Sequence, residues 1–260
     1  MDFYQAIVIA IVEGITEYLP ISSTGHMIIT SSMMGIQKDD FTKLYEVAIQ
    51  LGAILAAVVL YRDKFFKFAN WKFYSKLIVA VLPALFFGKL FADKIDELLE
   101  SPLTVAISLV VGGVILLFVD RIFASSSIDT EPEITHRHAL VIGFWQCLAM
   151  FPGVSRSGAT IIGGMQQKLT RRLAAEFSFF LAVPTMCAAT GYKLIKGYHL
   201  ITSQNLTLLI VGNVIAFIVA ILAIKFFITF LQKHGFKAFG WYRIIVGVIL
   251  ILLLRAGWLQ

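Results

Sequence analysis

The stretch Ala6–Ile29, "AIVIAIVEGITEYLPISSTGHMII", decides the fold because it returns 133 residues later as Ala139–Ile162, "ALVIGFWQCLAMFPGVSRSGATII". Identical or closely similar residues fall at Ala6/Ala139, Val8/Val141, Ile9/Ile142, Ile21/Val154, Ser22/Ser155, Gly25/Gly158 and Ile28–Ile29/Ile161–Ile162. A second match, at an offset of 134, lays Val110–Arg121 over Ile244–Arg255, with Gly113 on Gly247 and Arg121 on Arg255. Self-similarity at a nearly fixed offset marks a chain built from repeated units. The sequence predicts one membrane domain, 1–260, made of two homologous halves, about 1–125 and 136–260. The polar linker "SSSIDTEPEITHRH" (Ser125–His138) joins them.

The surroundings of the repeat are those of a membrane. The chain is 58% hydrophobic and 15% charged, with a mean hydropathy of +0.84. Soluble domains are nearer half apolar and about a quarter charged. Uncharged runs recur at Val47–Tyr61, Leu77–Gly88, Ser101–Val119, Phe177–Tyr192, Ile201–Ile224 and Ile244–Leu254. A bilayer takes about 20 helical residues to cross, so the shorter runs need flanking Lys and Arg that snorkel outward. These features predict an all-α polytopic membrane protein in a lipid bilayer. The formal charge of +6 is scattered between the runs. It therefore reads as membrane orientation and excludes nucleic acid as a partner. The N-terminus has no basic region, and Glu13 and Glu17 interrupt its apolar stretch, which argues against a cleavable signal. Cys147 and Cys187 lie in apolar segments and read as small core residues.

Each half reads as a polar-tipped hairpin followed by three spans. The tips, Tyr18–Gly25 and Phe151–Gly158, carry Pro, Gly and hydroxyls that break a helix. The first hairpin's arms, about Phe3–Glu17 and Thr24–Met34, are too short to cross separately. The hairpins are therefore expected to be re-entrant. Three spans per half is an odd number, so the second half is expected to be inverted. The tips then enter from opposite faces and meet near the midplane. On this topology Lys and Arg number thirteen on one side (62–76, 121–137, 168–172 and 233–243) and seven on the other. The richer side is cytoplasmic by the positive-inside rule.

A carboxylate at the centre of a membrane helix costs about 2.5–3.5 kcal/mol. Glu13 and Glu17 are four residues apart and share a helix face, so their repulsion calls for a cation or a shared proton. Ser22, Ser23, Thr24 and His26 follow at the first tip, and the second adds Ser155, Arg156, Ser157 and Thr160. This is an inventory for phosphoryl transfer. Arg156 can fork onto phosphate oxygens, and the N-termini of the second arms can aim N–H groups at the same anion. Ser, Thr and Gly in membrane helices often serve packing alone. A cluster of two glutamates, an arginine and a histidine at equivalent tips argues otherwise. Glu46 and Gln50, also four apart, fit either a polar cavity lining or the start of a span equally well. Asp93, Asp96, Glu97 and Glu100 read as a solvated loop face, and His136 and His138 as linker residues without function.

"EGITEYLPISSTGH" (Glu13–His26) and "PGVSRSGAT" (Pro152–Thr160) resemble the two signature motifs of the bacterial undecaprenyl-diphosphate phosphatases, the UppP/BacA family. The resemblance covers essentially the whole chain. It implies hydrolysis of undecaprenyl diphosphate to the monophosphate, recycling of this carrier for peptidoglycan and other envelope polymers, and a link to bacitracin resistance. It also implies interdigitated inverted repeats, a plasma-membrane location, a site open to the outer, periplasmic face, and a divalent cation, Mg²⁺ or Ca²⁺. Carried onto these positions, Ser23 is the expected nucleophile, with His26 as its base or later acid; direct attack by His26 is the rival. Glu13 and Glu17 are expected to hold the cation, or to orient His26 and a water. Arg156 is expected to stabilise the transferring phosphoryl group, with Ser22, Thr24, Ser155, Ser157 and Thr160 binding phosphate. The prenyl tail would lie between spans.

Two other classes stay open at the level of sequence. Inverted repeats with broken helices are also the architecture of secondary transporters, so the same site could flip a polyprenyl phosphate. An intramembrane protease would use Ser and His, but the glutamates and arginine suit phosphate better. A nucleophile beside a base favours the hydrolase. The identity of the metal, the range of prenyl chains and the presence of a homodimer are left open.

Overall fold

A computed structural model describes residues 1–67, 69–91, 94–95 and 101–257. The acidic stretch Asp93, Asp96, Glu97 and Glu100 lies outside the described residues. The first hairpin is α1 (Phe3–Thr16) and α2 (Ser23–Met33). Next come α3 (Asp40–Ala48), α4 (Gln50–Leu60), a short α5 (Arg62–Phe65), α6 (Trp71–Leu90) and α7 (Pro102–Ile122). Beyond the linker, α8 (His136–Cys147) and α9 (Arg156–Gln166) form the second hairpin. Three long helices close the chain: α10 (Arg171–Gly197), α11 (Ser203–His234) and α12 (Lys237–Arg255). Among the described residues the one β contact is an isolated bridge between Ile128 and Leu169.

Six stretches are long and apolar enough to cross a membrane: Asp40–Leu60, Trp71–Leu90, Pro102–Ile122, Arg171–Leu200, Ser203–His234 and Lys237–Arg255. Each predicted apolar run maps onto one of them. The first is α3 and α4 together, broken at Ile49. The 14-residue α1 falls short of a bilayer.

The helix starts follow from local chemistry. Asp2 and Gln5 form a reciprocal capping box before α1, and Thr135 and His138 form one before α8. The linker is therefore shorter than the sequence suggested: His136 and His138 lie in the first turn of α8 because Thr135 caps it. The buried Glu131 also ties the linker down, accepting from Lys76 Nζ at 2.9 Å and Lys64 Nζ at 3.3 Å.

Packing is reciprocal between the halves. The first arm of each hairpin lies on the second full span of the other half: α1 on α11, and α8 on α6. The last spans, α7 and α12, pack along each other. Gly143 permits the α8–α6 approach, because a Cβ there would sit 2.3 Å from Ala80 O. The main core draws on both halves through edge-on aromatic pairs, Tyr18–Phe179 at 4.9 Å and Phe73–Phe180 at 5.4 Å between centroids.

Candidate active site at the meeting hairpin tips

The two tips share one backbone design. Ser22 (φ 72°) and Ser155 (φ 74°) both adopt left-handed conformations unusual for residues other than glycine. Their hydroxyls cap the second arms, Ser22 Oγ accepting from Gly25 N at 3.3 Å and Ser155 Oγ from Gly158 N at 3.1 Å. Such backbone strain is of order 1–3 kcal/mol and concentrates at functional sites. The caps start α2 at Ser23 and α9 at Arg156, so Gly25 and Gly158 lie inside helices rather than in the tips.

The tips touch. Ser157 Oγ donates to Tyr18 O at 2.8 Å, and Arg156 Nη2 donates to Glu17 Oε1 at 2.7 Å. Beneath them lies Arg243, 1% exposed on α12. Its guanidinium donates to Pro20 O of the first tip, Gly153 O and Val154 O of the second, and Ser108 O and Leu109 O of α7. Gly112 leaves room for it, since a Cβ there would meet Arg243 Nη2 at 2.2 Å. The sequence reading placed Arg243 among the loop charges. The structure corrects this: the side chain serves five carbonyls, of which those of Pro20, Gly153 and Val154 are freed where the hairpins break and the other two belong to α7. Its position at the edge of an apolar run was the available signal, because intramembrane arginines rarely lack a specific task.

Between the tips is a cavity of about 220 Å³. Glu17, Ser22, Ser23 and Thr24 line it from one side, and Ser155, Arg156 and Pro152 from the other, with Gln50 and Met186 completing the wall. Of the pair left open by sequence, Gln50 therefore faces the cavity. Glu46 does not, and its buried Oε1 has no hydrogen-bond partner. Glu17 joins the two tips. While Oε1 holds Arg156, Oε2 accepts from Ser23 Oγ at 2.5 Å. Arg156 also donates through Nη1 to Ser178 O at 3.1 Å, yet its buried Nε has no partner. Glu13 is fully buried one turn behind Glu17, and neither of its carboxyl oxygens has a hydrogen-bond partner.

Three sequence expectations change here. His26 is not brought to Ser23: its Nδ1 lies 2.7 Å from Ser22 O and its Nε2 2.8 Å from the Tyr242 hydroxyl. A carbonyl only accepts, so Nδ1 carries the proton and Nε2 accepts from Tyr242. The carboxylate of Glu17 occupies the position beside Ser23 expected of the imidazole. Ser157 is turned onto Tyr18 O and is 1% exposed, away from the cavity. Thr160, fully buried, donates to Arg156 O at 2.8 Å and shares a 2.7 Å hydrogen bond with Ser178 Oγ. Both hydroxyls thus support the second tip rather than face an anion. Tyr242 and Ser178 had no motif to mark them, since each is one polar residue in an apolar helix.

A family model described as bacitracin resistance protein BacA matches residues 6–249. The chain belongs to the BacA family. Among curated BacA relatives, a Flavobacterium psychrophilum protein named undecaprenyl-diphosphatase is 59% identical over 256 residues, 97% of this chain and 96% of its own. One of the same name from Porphyromonas gingivalis is 52% identical over 278 aligned positions, covering 99% and 98%. An Aquifex aeolicus undecaprenyl-diphosphatase is 45% identical over 251 residues, 96% and 97%.

Proposed function

We propose that this chain is an integral-membrane phosphatase that hydrolyses undecaprenyl diphosphate to undecaprenyl phosphate and inorganic phosphate. The observation that carries this reading is the Ser23–Glu17–Arg156 chain across the cavity: a hydroxyl on a carboxylate oxygen, and a guanidinium with a spare buried donor. Ser23 Oγ attacks the terminal phosphorus while its proton passes to Glu17 Oε2. The bond from that phosphorus to the bridging oxygen breaks, and undecaprenyl phosphate leaves. Water then attacks the phosphoserine, its second proton passing to a phosphoryl oxygen; the bond from phosphorus to Ser23 Oγ breaks, Glu17 returns its proton to that oxygen, and phosphate departs. Arg156 exchanges its hold on Glu17 for the phosphoryl oxygens, and the N–H groups opening α2 and α9 face the same charge. A transporter needs no nucleophile against a carboxylate, and the curated relatives carry the name diphosphatase.

Glu13, one turn behind the cavity wall, and Glu17, in that wall, would be the side chains to hold a divalent cation, Mg²⁺ or Ca²⁺. The fit rests on the orphaned oxygens of Glu13 and on the preference of these ions for oxygen donors. Among the described residues no three His, Cys, Asp or Glu side chains gather as a metal site, so these two carboxylates are the protein's candidates. Bound there, the cation would offset the charge of the diphosphate.

The chain is placed in the bacterial inner membrane as two inverted halves, with the site facing the periplasm. The reciprocal packing of α1 on α11 and α8 on α6 supports the inversion. Removing Arg243 from the thirteen leaves twelve basic residues against seven, with the same sign of bias. Ile95, in the α6–α7 connection on the poorer side, lines the cavity, which supports an outward opening. Phosphate release from undecaprenyl diphosphate by purified protein in detergent, with and without EDTA, tests the reading. No release from folded wild type would sink it.

A further inference from the structure

Beside the polar cavity lies a second one, about 400 Å³, between the end of α6 and the end of α8. Its walls are Phe87 and Phe91, stacked at 6.2 Å, with Cys147 and Leu148 opposite. Among the described residues Lys94 is the one charged residue that lines it. Ile95, Met150 and Phe151 line both cavities, so the apolar groove continues directly from the chamber holding Ser23 and Arg156. A ligand with its charge at Arg156 and an apolar chain attached to it would leave the chamber along this path. Elsewhere the chamber lining mixes the polar Ser22, Thr24, Gln50 and Ser155 with the apolar Ala149, Pro152 and Met186, whereas the groove is lined almost wholly by apolar side chains.

We infer that the α6–α8 groove binds the first isoprene units of the substrate, next to the diphosphate. The inference rests on the phosphatase reading for its head group. Burial of branched apolar units against aromatic rings gives the groove its affinity. The cavity is too small for a fifty-five-carbon chain, so the distal units stay in the bilayer and recognition is confined to the proximal ones.

A farnesyl diphosphate analogue bearing a photoactivatable group on its second isoprene unit tests this in purified full-length protein. Labelled residues are mapped by mass spectrometry, with phosphate release followed in parallel. Labelling is expected at Phe87, Phe91, Leu148 or Phe151, displaced by unlabelled undecaprenyl diphosphate. Leu148→Trp, which fills the groove, is expected to cut that labelling about tenfold and raise KM similarly, with kcat within about twofold. Cys147→Phe fills the same space from the next position and stands in should Leu148→Trp fail to fold. Labels scattered over lipid-facing Ile210 and Ile218 of α11 would overturn the inference. Groove labelling indifferent to unlabelled substrate would also overturn it, by marking a site for bilayer lipid. Competed groove labelling without phosphate release would uphold the groove and overturn the phosphatase reading instead.

Discussion

Glu17 has two partners at once, Ser23 through one oxygen and Arg156 through the other, and this double use sets the residue-scale expectations. Ser23→Ala removes the proposed nucleophile and is expected to lower kcat at least about 10³-fold, in line with losses of catalytic serines elsewhere. Glu17→Gln removes the proposed base and should lower kcat by roughly 10²–10⁴-fold. Arg156→Ala should abolish turnover while the protein remains inserted and folded. His26→Ala is expected to fall by less than about 10²-fold, because its ring serves Ser22 O and Tyr242 rather than Ser23. Phosphate release by the four variants, read side by side, checks the set. A His26→Ala enzyme as dead as Ser23→Ala would return the imidazole to the chemistry. For Glu13, the cation proposal gives a readout independent of turnover. A divalent ion at 100 times its Kd stabilises the protein by about 2.7 kcal/mol. Thermal unfolding of wild type in Mg²⁺ or Ca²⁺ should show that gain, and Glu13→Gln should lose most of it.

At the scale of elements, the second arms exist because serines cap them. Ser22→Ala should cost about 0.5–2 kcal/mol through the lost cap. Ser22→Gly should cost less, because glycine adopts φ near 72° without the clash of a Cβ. Melting temperatures in detergent rank the two, and the reverse order would mean the strain is absent. Arg243 acts between elements. It satisfies five carbonyls from both tips and α7, and lysine offers at most three donors. Each of the three tip carbonyls left buried and unpaired costs about 1–3 kcal/mol, while those of α7 keep their helical partners. Arg243→Met should therefore melt far below wild type and Arg243→Lys between the two, with phosphate release falling alongside. A wild-type melting curve for Arg243→Met would remove the clamp from the account of how the tips are held.

For the whole molecule, orientation is the expectation with a direct readout. In a chain without its native cysteines, single cysteines at Lys38 and Lys196 should react with a membrane-impermeant thiol reagent from the periplasmic side. Cysteines at Arg121 and Lys168 should be protected until the membrane is breached. The opposite pattern would reverse the orientation and turn the cavity toward the cytoplasm. The reciprocal packing also bears on stability. Each first arm rests on the other half, so neither hairpin has its full set of contacts within its own half.

The sequence by itself determined the membrane class, the six spans, both hairpins, and the company of Glu17, Ser23 and Arg156. Length and charge decide what can cross a bilayer, and Pro, Gly and Ser decide where a helix breaks; both are local properties. The repeat also placed Ser22 over Ser155, where the structure finds matching left-handed caps. Only the tertiary structure decided which side chain meets the Ser23 hydroxyl. Ser23 and His26 are three apart, but the first turn of α2 points them to different neighbours. Glu17 reaches Ser23 across a break of the helix that no spacing rule describes. The same limit hid Arg243, whose carbonyl partners lie 89 to 223 residues away in the chain. Hydrogen bonds at such separations depend on how the halves interlock, and a linear pattern carries no record of that.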